Sequence, residues 1–153
     1  MKLPAPAIQP VNETLYRVYA RYELPGAGGW ALIIQPGFTF DGASIPRFFW
    51  RVIGHPFTGL TVPAALVHDA LYATHRLPKH VADVLFRNLL IQNGVPPWRA
   101  KTMYQAVDRF GGKAYNRPTA SQLAAARRRV TIVNPQQVEV FPCASAFAPL
   151  QSC

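Results

Sequence analysis

The sequence predicts an α+β domain, and three observations carry that prediction. Period-two alternation is confined to the stretch before Gln35, helical spacing takes over from Pro63 onward, and only a loop containing Gly and Pro separates the two regimes. At 153 residues the chain suits one hydrophobic core and is short for two. The expected single domain divides into an extended arm (1–12), a β-hairpin (13–36), a loop and helical core (37–128) and a C-terminal extension (129–153). The hairpin is expected to pack on three to four helices, two of them forming an antiparallel helical hairpin.

The arm reads MKLPAPAIQPVNE, and its three prolines favour extended backbone. In LYRVYARYEL the residues Tyr16, Val18, Ala20, Tyr22 and Leu24 share one face, with Arg17, Arg21 and Glu23 opposite. That is the pattern of a half-buried strand. PGAGG is a turn and WALIIQ a second strand, so the hairpin has a loop longer than two residues. From Pro63, Leu66, Ala70 and Leu71 recur at helical spacing, with Thr61 placed to cap and Pro78 to break. KHVADVLFRNLLIQNG is a second amphipathic helix ended by Gly94. A third runs from Pro97 or Trp98 to Phe110, stopped by Gly111 and Gly112. A fourth, TASQLAAARRR, takes Thr119 as its cap and carries cations in its last turn, where they suit the helix dipole. VTIV and QVEVF, split by Asn134 and Pro135, form either another hairpin or an extended arm.

Half of the residues are apolar and spread along the chain, which excludes disorder of the middle. No apolar run reaches the roughly 18 to 20 residues that cross a bilayer, and the N-terminus has no export-signal pattern. The chain is therefore expected to be soluble or part of an assembly. Only Cys143 and Cys153 occur, too few for a disulfide framework or a four-thiolate zinc site. The net charge of +9 is concentrated in Arg99, Lys101, Arg109, Lys113, Arg117 and Arg127 to Arg129, with Asp108 alone opposing them. Such a surface attracts phosphate-bearing polyanions, anionic lipid or an acidic protein, or is a solvated helix face. Nucleic acid is a possible partner for which no binding motif is present.

The chemistry-bearing stretches are FTFDGASIPRFFW and LVHDALYATHRL. Adjacent helical residues point about 100° apart, whereas His68 and Tyr72, four apart, share a face. Mirroring the helical hairpin about Leu77 and Pro78 sets Asp83 level with Tyr72. A Tyr72 to Asp83 bond is then easier than a His68 to Asp83 bond, which requires an offset of about three residues, roughly 4.5 Å. Asp41 and Gly42 form a loop whose carbonyls suit a hard cation such as calcium. The same loop also reads as an ordinary turn capped by Ser44, and the His-Asp pair as a hydrogen-bonded core feature. His75 and His80 flank the hairpin turn and are expected at the surface.

The pattern F-T-x-D-G-A-S-I-P-R, L-V-H-D-x-L-Y, A-D-x-x-F and M-Y-x-A-V-x-x-F-G, from Phe38 to Gly111, resembles the phage and prophage family of domain of unknown function 1353. That resemblance implies a bacteriophage source, a virion or the host cytoplasm as the location, and no established activity. A small virion component of the tail or its tip fits it, with terminal arms reaching onto other phage structural proteins. HDALY is also similar to the H-D-x-x-Y helix of type-two secreted phospholipases A, and FDGAS to the D-G-C-S loop of their bacterial members. This second resemblance implies His68 as general base, Asp83 as the acid that orients it and Tyr72 as support. It further implies calcium held by Asp69, Asp41 and Gly42, in a lipid or ester hydrolase of host entry or lysis. Ala43 and Leu71 stand where that class has disulfide cysteines. A weaker enzyme reading takes His55, His68, Asp69 and Asp108 as the ligands of a metal phosphohydrolase.

Overall fold

The computed structural model describes residues 2–41 and 59–138. At its centre lies helix α1 (Val62–Thr74), in which every residue but Val62, Asp69 and Ala73 is buried. Apolar residues occur all round this helix rather than along one stripe, so it must be covered on all sides. Its C-terminus turns through His75, whose left-handed backbone (φ 48°, ψ 36°) lets its N–H bond Leu71 O at 2.9 Å. Pro78 then forbids continuation. Helix α2 (Lys79–Gln92) returns along α1 and buries Ala82, Asp83, Leu85, Phe86, Leu89 and Leu90, an i, i+3, i+4, i+7 set. Gly94, at φ 95°, carries the chain away from α2, as its position predicts.

Helix α3 (Pro97–Phe110) packs on α2 through Ala100, Met103, Ala106 and Val107, with proline in its first turn. A short helix α4 (Gly112–Asn116) follows directly, where the sequence suggested a stop. The reason is that Gly111 itself keeps helical dihedrals (φ −70°, ψ −12°). Helix α5 (Ala120–Arg129) begins at a capping box in which Thr119 and Gln122 satisfy each other's backbone N–H groups. Thr61 behaves otherwise: its backbone is already helical and its side chain makes no cap bond to α1.

The strands form two three-stranded antiparallel sheets rather than one hairpin. In the first, β1 (Ile8–Pro10), β2 (Tyr16–Val18) and β5 (Thr39–Phe40) lie in the order β1-β2-β5. In the second, β3 (Tyr22–Pro25), β4 (Ala31–Ile34) and β6 (Val130–Val133) lie in the order β3-β4-β6. The β3/β4 hairpin is the expected one, with Tyr22 opposite Ile34 and Pro25 opposite Ala31.

Three expectations need correction. The single strand read over residues 15–24 is broken at Ala20, which is exposed, because the chain leaves one sheet there and enters the other. Alternation reports which face is buried and carries nothing about a change of sheet. The N-terminal arm is extended as expected, yet it is held by its own chain. Ile8 to Pro10 pair with Val18 to Tyr16, Asn12 Oδ1 closes the turn by accepting from the N–H groups of Thr14 and Leu15, and Leu3 is buried with its N–H on Asn93 Oδ1 at 3.0 Å. Proline is tolerated in β1 because it is an edge strand. The C-terminal extension, finally, begins with a sheet strand. VTIV is neither a local hairpin nor an arm, since β6 leaves α5 and pairs with β4 (Val130 with Ile34, Val133 with Ala31).

Candidate active site

One buried carboxylate organises the site. Asp83 on α2 has no exposed surface, and its Oδ1 accepts from His68 Nε2 at 2.7 Å and from the Tyr72 hydroxyl at 2.6 Å. Its Oδ2 accepts from Lys79 Nζ at 2.6 Å. The His68 to Asp83 bond, which simple mirroring of the hairpin made the harder one, forms alongside the Tyr72 bond. Both donors lie on one face of α1, a turn apart, and a single oxygen between them serves both. The His68 ring is sandwiched between Tyr72 and Phe86, at centroid distances of 4.1 and 4.7 Å.

Burial alone would raise the Asp83 pKa, but the bonds from His68, Lys79 and Tyr72 outweigh it and hold the carboxyl below its ordinary range. Asp83 is therefore the anion of the network at neutral pH. Burial, followed by the bond to Asp83 and the nearby negative charge, pushes Tyr72 far up, which keeps it a donor. An ionised carboxylate only accepts, so a His68 ring carrying one proton carries it on Nε2.

Gly111 serves this network rather than a helix stop. A Cβ there would lie 2.4 Å from Val107 O and 2.6 Å from the Tyr72 hydroxyl, so the backbone passes Tyr72 only because that residue is glycine. Lys79 also reaches α3, donating to the carbonyls of Val107 and Asp108 at 3.0 Å each.

Asp69 and Ala73, half-buried and one turn apart on α1, face a cleft of about 90 Å³ that Phe40, Asp41, Tyr72 and Arg117 also line. Asp41 directly follows β5, which sets it in the lining of this cleft, and its Oδ2 lies 3.6 Å from an Arg117 nitrogen. Asp41 and Asp69 thus line the same cleft. Their carboxylates are donors of the hard kind that calcium takes, and they suit it in kind, with Arg117 as the counter-charge a cation would displace. Gly42, the other proposed ligand, lies outside the described residues, as do Ala43, Ser44, His55, Cys143 and Cys153. Among the described residues no group of three or more His, Cys, Asp or Glu side chains is placed to hold a metal ion. Asp108, the far ligand of the phosphohydrolase reading, is exposed on α3.

Some participants escaped the sequence reading. Lys79 was detectable as the residue one turn before Asp83; Arg117 and the role of Gly111 were not, since both depend on how α3 and α4 pass α1. His80 is exposed as expected, but His75 is half-buried, stacked on Tyr115 at 4.0 Å with Nε2 2.6 Å from the Tyr115 carbonyl oxygen. The basic run is partly structural. Arg127 Nε donates to Thr74 O, a C-terminal carbonyl of α1, at 2.8 Å, and Arg129 donates to Pro36 O at 2.6 Å.

The fold and site define an α+β protein with a buried His-Asp-Tyr-Lys network beside an acidic cleft. The chain belongs to the family described as "Protein of unknown function (DUF1353)", which matches residues 16–107. It is also similar to the "Uncharacterized protein y4jT" of Sinorhizobium fredii (strain NBRC 101917 / NGR234), at 35% identity over 97 residues. That match covers 63% of this chain and 29% of the relative, so the chain spans under a third of that protein's length. No solved structure matches. No helix among the described residues is long and apolar enough to cross a membrane.

Proposed function

We propose that this chain is an ester hydrolase acting on phospholipid-type substrates, with His68 as the general base for a water molecule. The observation that supports this reading is the 2.7 Å contact of His68 Nε2 with a buried, ionised Asp83, while the very next residue, Asp69, lines a cleft shared with Asp41. Asp83 fixes the ring that would take the proton, and Tyr72 holds the carboxylate in place. Asp69 and Asp41 are the residues that would hold calcium. Calcium held there would supply polarisation of an ester carbonyl and stabilisation of its oxyanion. The +9 chain gives an anionic membrane as the natural partner surface. The resemblance to phage proteins supplies the setting, a virion component at the tail or its tip, and a mass-spectrometric inventory of purified particles tests that setting.

A second reading has its own observation. His68 is 1% exposed and Asp83 accepts from three side chains, so the network also suits a buried polar brace joining α1, α2 and α3. Calcium titration and vesicle hydrolysis separate the two. The hydrolase reading expects calcium to raise the melting temperature, Asp69→Asn to abolish that shift, and His68→Ala to keep the shift while losing hydrolysis. A parent that neither responds to calcium nor releases fatty acid, together with strong destabilisation by His68→Ala, leaves the brace.

A further inference from the structure

We infer that Lys79 is a positioning residue of the His68–Asp83 dyad, fixing the rotation of the Asp83 carboxylate from the end of helix α3; the inference rests on the hydrolase reading above. Asp83 has two oxygens, and one of them, Oδ1, does all the work toward α1 by accepting from both His68 and Tyr72. Those two bonds restrain Oδ1 alone and leave the carboxylate plane to tilt about that anchored oxygen. The 2.6 Å bond from Lys79 Nζ to Oδ2 removes that freedom. It engages the second oxygen, so that a tilt of the carboxylate breaks the ammonium contact.

Lys79 is itself held. Its ammonium has three donors, and the structure spends them on Asp83 Oδ2, Val107 O and Asp108 O. The two carbonyls belong to the last turn of α3, where the negative end of the helix dipole favours a cation. The ammonium is thus fixed from α3 rather than left on a flexible stem. A lysine one turn before an aspartate on an exposed helix face would be an ordinary surface pair. Here the acid has no exposed surface and the lysine side chain is only 24% exposed, so the contact is shielded from solvent and holds its geometry.

The arrangement reaches the cleft as well. Beyond Asp108 the chain runs through Gly111, packed against the Tyr72 hydroxyl, into α4 and then Arg117, which lines the cleft. Lys79 therefore ties the orientation of the dyad to the wall that a substrate would meet.

The test uses the full chain with Lys79→Met and Lys79→Arg, each checked for a cooperative urea transition. Vesicle hydrolysis should show kcat lowered about 10- to 100-fold in Lys79→Met with KM unchanged, as a misoriented base gives, and restored in large part in Lys79→Arg. A second readout needs no activity: in protein labelled with ¹⁵N-histidine, the His68 Nε2–H proton should resonate downfield and exchange slowly in the parent and in Lys79→Arg. In Lys79→Met it should exchange fast or disappear. If the parent hydrolyses nothing, the hydrolase reading fails, and the proton signal still decides whether Lys79 positions the dyad. Should Lys79→Met not fold, Lys79→Gln, which keeps a donor and drops the charge, replaces it in both assays. A Lys79 variant that melts earlier yet keeps the parent's kcat and its protected His68 proton makes Lys79 a staple between α2 and α3, and overturns the inference.

Discussion

Replacing Asp83 by Asn changes one atom type and removes the only anion of the buried network. Three bonds converge on the carboxylate, from His68 at 2.7 Å, Tyr72 at 2.6 Å and Lys79 at 2.6 Å, and none of its surface is exposed. Hydrogen bonds to a charged group are worth about 1.5–3 kcal/mol each. A plain sum would overshoot, because the asparagine carbonyl still accepts from Tyr72 or His68 and bonds sharing an atom are not additive. What is lost outright is the partner of the Lys79 ammonium, and removing one member of a buried pair costs about 3–5 kcal/mol. For a chain of this size that lowers the melting temperature by roughly 6–20 °C. Urea unfolding followed by circular dichroism measures it as a shift in midpoint with unchanged slope.

The pH dependence gives a second handle, and its sign is fixed. The native-state pKa of Asp83 lies below the ordinary 3.8, so the unfolded chain takes up this proton first on acidification. Its contribution is present above about pH 3.8 and is lost as pH falls through the depressed native value. The gap between parent and Asp83→Asn should therefore be widest near neutrality and narrow below about pH 4. A cost under about 1 kcal/mol, or a gap that stays constant down to pH 2, would refute the claim that an ionised Asp83 organises this core.

Other expectations follow from single contacts. Gly111→Ala places a methyl 2.6 Å from the Tyr72 hydroxyl and 2.4 Å from Val107 O, so it should destabilise by about 1–3 kcal/mol in urea unfolding. The Tyr22 hydroxyl is buried with no partner among the described residues, so Tyr22→Phe should be neutral or stabilising by up to about 1 kcal/mol in thermal melts. Burial pushes the Tyr22 pKa up to about 12, so the parent should lose stability as pH rises from about 10 towards that value, and Tyr22→Phe should lose less. Arg127→Ser strands Thr74 O and should cost about 1 kcal/mol, whereas Arg128→Ser, at an exposed position, should leave stability unchanged. If the basic run also meets anionic vesicles, both variants should weaken salt-sensitive binding alike; binding that is insensitive to salt would leave these arginines to the fold.

What the sequence determined by itself is the set of features that neighbours within a few residues decide. The four longer helices follow from apolar spacing, with Pro78, Gly94 and the Thr119 cap marking three of their ends, and the β3/β4 hairpin follows from alternation around PGAGG. The same local logic placed His68 and Tyr72 on one face of α1 and brought Asp83 within reach across a short turn. Tertiary structure alone decided what depends on distant pairing. It seated β6 beside β4, although their paired residues Val133 and Ala31 are far apart in the chain, because the edge of β4 needed hydrogen-bond partners and α5 ends beside it. It split residues 15–24 between two sheets, turned the N-terminal arm into an edge strand, and carried Arg117 from beyond α4 to the cleft of Asp41 and Asp69. It also made Gly111 a gap for the Tyr72 hydroxyl and Lys79 a bridge to α3. Spacing along a chain specifies which side chains share a face, but the partner on the other side of that face is chosen by packing, and packing is a property of the whole fold.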